Sequence, residues 1–245
     1  MFVLWLRQVI RYVRSRSRII GSLGQPLLFL FALGYGLGPV FAKSGNGDYL
    51  QFLAPGVIGM SVLFTAIFSG IELIWDRQFG FLKETMVAPV PRWQIMLGRT
   101  LGGATVAGLQ GCIVLALAVL GGFRPVSLAA LPAAVGVMLL TALLFTALGT
   151  AVASVLEDMQ GFQLIMNFLV MPLFFLSGSL FPLAGLPIGI AAVAAVDPLT
   201  YGIDAMRGLL IGSSHYAVGF DVLVLSAFTL VFLAVGTKMF SRIQV

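Results

Sequence analysis

The sequence predicts an all-α polytopic membrane protein with six transmembrane helices, and three observations carry that prediction. The 245-residue chain is 60% hydrophobic and only 9% charged, whereas a soluble domain is about a quarter charged. Its apolar residues form six separate runs, at 19–41, 53–75, 98–120, 128–153, 162–183 and 220–238, each near the roughly 20 residues that cross a hydrocarbon core. Glycine and proline are scattered through the runs, and the alternating segments of about ten residues that build a transmembrane barrel are missing.

The basic residues set the orientation. Arg7, Arg11, Arg14, Arg16 and Arg18 precede the first run, Arg77, Lys83, Arg92 and Arg99 surround the loop after the second, and Lys238 and Arg242 follow the last. Only Lys43, Arg124 and Arg207 fall on the other side. Under the positive-inside rule this asymmetry expects both termini in the cytoplasm of a multi-pass cell-membrane protein, as an even number of spans requires. The net charge of +5 therefore reads as topology and attraction to anionic membrane lipids, not as a nucleic-acid surface.

Taken in order, residues 1–18 are expected to form an amphipathic helix in the inner interface. Arg7, Arg11, Arg14 and Arg18 recur at helical spacing beside an apolar stripe of Leu6, Val9, Ile10 and Val13, with Trp5 near the start. Residues 19–245 then form one membrane domain. The first run ends in Val40-Phe41-Ala42, which fits a small-residue cleavage pattern, but its length exceeds a signal core of about 7–15 residues and favours a retained span. Lys43 to Asp48 make a short outer loop, and Gly121 to Pro125 an outer turn. Glu157 to Gln160 make a tight inner turn. Cys112, the single cysteine, falls inside the third run, so the chain has no internal disulfide.

Two connections are longer. The inner loop 76–97 is the one sizeable surface between spans on which a driving partner could push. The outer connection 183–219 holds an apolar stretch at 188–196, too short to span, then Asp197-Pro198 as a helix cap and first turn. A second short helix carries Tyr201, Asp204 and Arg207. This pattern expects a re-entrant helical hairpin in the outer leaflet, covered by protein or lining a cavity. Asp204 and Arg207, three apart, are expected to pair.

The sequence argues against an enzyme. His215 is the only histidine, and no set of ligands with zinc spacing is present. No Gly-x-x-x-x-Gly-Lys-Ser/Thr occurs, so the chain has no phosphate-cradling loop of its own. Glu72 is the only acid well inside a run. An ion at mid-membrane costs about 2.5–3.5 kcal/mol, but Glu72 is about one turn from the inner end, where a structural or coupling role is expected ahead of a proton relay.

The segment Trp75-Asp76-Arg77-Gln78-Phe79-Gly80-Phe81-Leu82-Lys83-Glu84, followed by Val87-Ala88-Pro89-Val90-Pro91-Arg92, resembles the inner loop of the type-2 ABC exporter permeases, a group that includes drug-resistance and polysaccharide or lipo-oligosaccharide export subunits. Pro172 to Pro182, Asp197 to Tyr201 and Asp204 to Gly208 resemble the same family's fifth span and outer hairpin. Gln78 departs from the acidic residue common at its position. The resemblance implies a cytosolic coupling helix between spans two and three, and a dimer of permeases, expected as a homodimer, on two copies of a separate ATP-binding subunit. ATP and magnesium would be held by that subunit, with no cofactor or metal on this chain.

In that arrangement Phe79, Phe81, Leu82 and Met86 would present an apolar face to the ATPase, with Arg77, Lys83 and Glu84 as a charged rim and Asp76, Gln78 and Gly80 in the same coupling segment. Pro89 and Pro91 would stop the helix and set its angle to the third span. A cavity between protomers, lined by the second and fifth spans, makes Thr65, Ser69, Asn167, Met171, Phe174 and Ser177 the candidates for a substrate path. The reading is a bacterial export permease for a hydrophobic or amphipathic drug, antibiotic or lipid. The alternatives are export of a lipid-linked glycan or polysaccharide and, from another class, a non-transporting membrane scaffold or immunity protein.

Overall fold

The computed structural model describes residues 1–43, 48–183, 185 and 187–243, and no strand occurs among them. The chain opens with α1 (Phe2–Arg14), then α2 (Arg16–Leu28), a π turn at Phe29–Leu33 and α3 (Gly34–Lys43). Next come α4 (Tyr49–Phe68), α5 (Ile71–Gln78), the short α6 (Phe81–Val87) and α7 (Arg92–Leu120). A 3₁₀ turn leads into α8 (Leu131–Val155), followed by α9 (Met159–Leu176), α10 (Ile188–Val196), α11 (Pro198–Ile211) and α12 (Val218–Ser241). Among the described residues six runs are long and apolar enough to cross a membrane: Arg16–Phe41, Tyr49–Gln78, Arg92–Leu120, Leu128–Val155, Met159–Leu176 and Val218–Ser241.

The second run is the centre of the bundle. α4 is apolar on every side, the pattern of a helix enclosed by others, and Leu53, Val57, Ile58, Leu63 and Ala66 are fully buried where α4 meets α7, α8 and α11. Lipid tails are as apolar as leucine, so such helices associate through close fit at small residues. Gly70, between α4 and α5, lies against Gly149 of α8 so tightly that a Cβ on it would stand 2.5 Å from the Gly149 carbonyl oxygen. Aspartates cap three helix starts: Asp48 accepts the Leu50 N–H, Asp158 those of Gln160 and Gly161, and Asp197 that of Leu199.

Several boundaries differ from those expected. The N-terminal helix stops at Arg14, because Ser15 (φ −94°, ψ 77°) leaves the helical region, and this puts Arg16 and Arg18 on α2. Rather than standing apart, α1 lies across the lower half of α7. Its Trp5 Nε1 donates to Thr105 Oγ1 at 3.0 Å, and its Tyr12 hydroxyl donates to Gln110. The second run continues to Gln78 and the third begins at Arg92, which shortens the loop expected at 76–97 to 79–91. The fifth run ends at Leu176 and not at 183, since Gly178 turns the chain at φ +72°.

α10 and α11 are long and apolar enough to span only as a pair, and that pair is bent by 87°. Residues 44–47 of the expected outer loop, 184 and 186 of the 183–219 connection and the final two residues lie outside the described residues.

The Gly70–Gly149 contact leaves no room for a branched side chain. Gly149→Val should lower stability by about 1–3 kcal/mol or more, read as an earlier thermal unfolding midpoint in nanodiscs. Gly136→Val, where a Cβ would meet nothing within 4 Å, should unfold close to the parent.

Candidate functional site

Two carboxylates one turn apart on α5 organise the basic end of the bundle. Asp76 is 6% exposed and takes Arg99 of α7 at 2.6 Å and Arg7 of α1 at 2.8 Å. Glu72, 7% exposed, takes Arg18 of α2 at 2.6 Å and has Arg11 of α1 at 3.9 Å. Four arginines from three helices therefore converge on two acids. Arg99 is buried with Asp76, so removing it strands a charge at a cost of about 3–5 kcal/mol, whereas Arg7, Arg11 and Arg18 keep more than a third of their side chains exposed. Burial also pushes the Tyr12 phenol above its ordinary range, against the opposing pull of the Arg18 charge, and so favours the neutral hydroxyl that donates to Gln110.

α6 is mounted on this cluster. Gly80, at φ +79°, turns the chain after α5, and the Arg7 guanidinium stacks 3.8 Å over the Phe81 ring just beyond it. The helix ends at Val87, before Pro89, and extended Pro91 leads into α7. The apolar face expected of it is only partly available. Leu82 is fully buried in the protein's own core, and Met86 packs partly against that core. Phe79 and Val87 are the open apolar side chains, 81% and 84% exposed, beside exposed Lys83, Glu84 and Pro89.

The polar residues expected of the coupling segment also divide. Asp76 is sequestered, while Arg77 donates to the Leu156 carbonyl at 3.3 Å and Gln78 Nε2 to that of Glu157 at 3.1 Å. Gln78 thus ties α5 to the α8–α9 turn through a backbone acceptor. At the same end Arg92 donates to the carbonyls of Ser241 and Ile243, at 2.6 and 3.0 Å, and fixes the end of α12.

The residues proposed for a substrate path do not converge. Ser69 is buried and donates to the Ala66 carbonyl, Ser177 donates to that of Phe174, and Phe174 is itself only 1% exposed. All three are internal to the chain's own packing. Asn167 and Met171 lie exposed on α9 with Phe168, 82% exposed, between them. Thr65 lines a groove of about 240 Å³ between α2 and α4, and Ser69 a small void of about 10 Å³ beside Glu72.

At the far end the expected ion pair between Asp204 and Arg207 is replaced by two sets of backbone contacts. Asp204 accepts N–H bonds from His215 and Tyr216 at 2.7–2.9 Å. Arg207, 5% exposed, donates to the carbonyls of Gly178 and Ser179 at 2.8 and 3.2 Å and to that of Phe52 at 3.4 Å, and lies 3.8 Å over the Phe52 ring. The turns they hold have carbonyls and N–H groups that would otherwise be unpaired at depth, and that need outweighs a pair between neighbours. Asp197 caps α11 as expected, and Tyr201 donates to the Ala195 carbonyl across the bend. The sequence shows these charged residues but not their backbone partners, which lie up to 155 positions away.

Six runs long and apolar enough to cross a membrane, with a short helix set on charged side chains at one end, define a multi-pass membrane protein. Residues 1–211 match the family model of the ABC-2 type transporters, and the chain belongs to that family, whose permeases work with a partner ATP-binding subunit. It is 32% identical over 213 residues to a nodulation protein J of Rhizobium leguminosarum bv. trifolii, covering 85% of this chain and 80% of that protein. It is 29% identical over 241 residues to a nodulation protein J of R. leguminosarum bv. viciae, covering 97% and 92%. A putative transport permease ycf38 of Cyanophora paradoxa is 28% identical over 217 residues, covering 87% and 75%.

The division of the segment 79–87 into buried and open side chains has a direct readout. Leu82→Ala should cost about 2–5 kcal/mol of stability, whereas Phe79→Ala should stay within about 0.5 kcal/mol, both followed by thermal unfolding in nanodiscs. Equal losses would mean that the two sets are not distinct. At the far end, Asp204→Arg combined with Arg207→Asp should be no more stable than either single variant, because neither side chain relies on the other. Recovery in the double variant would restore the ion pair.

Proposed function

We propose that this chain is the permease subunit of an ATP-driven exporter of a lipid-linked glycan or polysaccharide. Two copies, as a homodimer, would sit on two separate ATP-binding subunits in a bacterial cell membrane. The basic end would face the cytoplasm with both termini, and the bent α10–α11 pair would form a re-entrant hairpin in the outer leaflet. The observation that carries the reading is the segment 79–87: Phe79, in the turn before α6, and Val87, the last residue of α6, stand outward, while Phe81 at the start of α6 lies under Arg7 of the Arg7–Asp76–Arg99 cluster. Such a helix suits a groove on a partner, and its mounting passes a push to α1, α5 and α7 together. Similarity to nodulation proteins supports the glycan over the drug or antibiotic reading.

The test is reconstitution with the ATP-binding subunit. Phe79→Asp with Val87→Asp should place two charges in a desolvated contact and reduce permease-dependent ATPase stimulation and glycan export at least tenfold, with membrane insertion unchanged. Wild-type stimulation would remove α6 as the docking element. Binding of the ATPase with no lipid-linked glycan exported would favour a scaffold.

A further inference from the structure

The groove between α2 and α4 is a partly enclosed feature of the basic end that the coupling role leaves unused. At about 240 Å³ it is smaller than the roughly 300–1,000 Å³ of a pocket that encloses a whole drug-sized ligand, so it suits the head of a longer molecule. Arg18 stands at its lower end. One Nη1 bond ties that guanidinium to Glu72, and since Arg11 also lies 3.9 Å from the same carboxylate, the cluster keeps an excess of positive charge. A guanidinium with donors to spare matches the oxygens of a phosphate.

Higher in the groove the lining changes character. Ser22, Gln25, Ser61 and Thr65 supply neutral hydroxyl and amide groups, and Phe64 and Phe68 supply aromatic surface. Ser61 is 3% exposed, and its Oγ has no hydrogen-bond partner. A buried hydroxyl left unpaired is costly and marks a place where a ligand's polar group fits. Cation first, then hydroxyls beside aromatic rings, is the order of a phosphate followed by a sugar. A phospholipid head without a sugar ring would leave the upper polar groups unmatched.

We infer that this groove binds the sugar-phosphate head of a lipid-linked glycan, with Arg18 on the phosphate and Ser61 and Thr65 on sugar hydroxyls. The inference rests on the glycan reading above and specifies the contact within one protomer.

The complex of this chain with its ATP-binding subunit, in phosphatidylcholine nanodiscs, would be photolabelled with a diazirine-bearing polyprenyl-phospho-glucose. Phosphatidylglycerol and octyl glucoside would serve as competitors. Label is expected on the peptides that hold Arg18–Gln25 and Ser61–Thr65, and neither competitor should displace it at equal concentration. Arg18→Gln should reduce it at least tenfold. So should Gly21→Leu, which fills the groove from α2 at a position where a Cβ meets nothing within 4 Å, so the fold is retained. Labelling that ignores Gly21→Leu, or that phosphatidylglycerol displaces equally, would overturn the inference. If the probe labels other peptides while glycan export persists, the groove assignment fails and the exporter stands. If the probe neither labels the complex nor stimulates its ATPase, both fail.

Discussion

The interaction on which the rest depends is the pairing of Glu72 and Asp76 with arginines from three other helices. Burying a carboxylate costs several kcal/mol unless counter-charges reach it, and α5 buries two, one turn apart. The counter-charges from α1 and α2 can arrive only if α1 folds back over α7 and if α2 begins at Arg16, while Arg99 comes from the first turn of α7's apolar run. Both of those conditions depart from what hydrophobicity alone would set. The same requirement fixes α6, since the Arg7 that reaches Asp76 also covers Phe81. Residues that count toward orientation in the sequence are therefore structural ties in the fold.

The far end solves a different problem with the same residue types. Its turn after α9 is buried, and buried backbone groups must find partners. Arg207 supplies donors to the carbonyls of Phe52, Gly178 and Ser179, while Asp204 supplies acceptors to the N–H groups of His215 and Tyr216. One residue of each charge, three apart on α11, thereby joins that helix to α4, to the turn after α9 and to the approach to α12. The buried side of the bent pair is α11, whose Leu199, Ile203, Met206 and Leu210 are fully enclosed, while Ile188 of α10 is 90% exposed.

The six runs were legible because each is a long apolar stretch, a signal that needs no knowledge of neighbours. The caps at Asp197 and Pro198 were legible for a similar reason, being local. What failed was long-range. Leu82 looks like any exposed apolar residue of a loop helix, and its burial depends on how α6 folds onto the bundle. The break at Ser15 hides inside a stretch whose arginine spacing stays helical through Arg18. Ser177 and Phe174 read as path-lining residues from their span alone, whereas packing turns both inward. Trp5, Gln8 and Tyr12 were the available signal for α1, since three polar-tipped side chains along one short helix suit a protein surface better than a lipid one.

A contiguous set of contacts joins the exposed helix to the groove. Phe81 lies under Arg7, Arg7 holds Asp76, Asp76 is one turn from Glu72 on α5, and Glu72 holds Arg18 at the groove's mouth. Two of the links, Arg7–Asp76 and Arg18–Glu72, join a buried carboxylate to an arginine whose side chain is 35% and 36% exposed, and the third is the one turn of α5 between the two acids. A displacement of α6 would therefore carry α1 and α5 with it as a body, with Glu72 drawing on Arg18, instead of dissipating in a soft loop. Arg18 gives Glu72 a single Nη1 bond, so its other donors stay free, and a shift of α5 would reposition the guanidinium at the groove's mouth without first breaking that bond. The two acids on α5 thus join the short helix to the groove through named side chains.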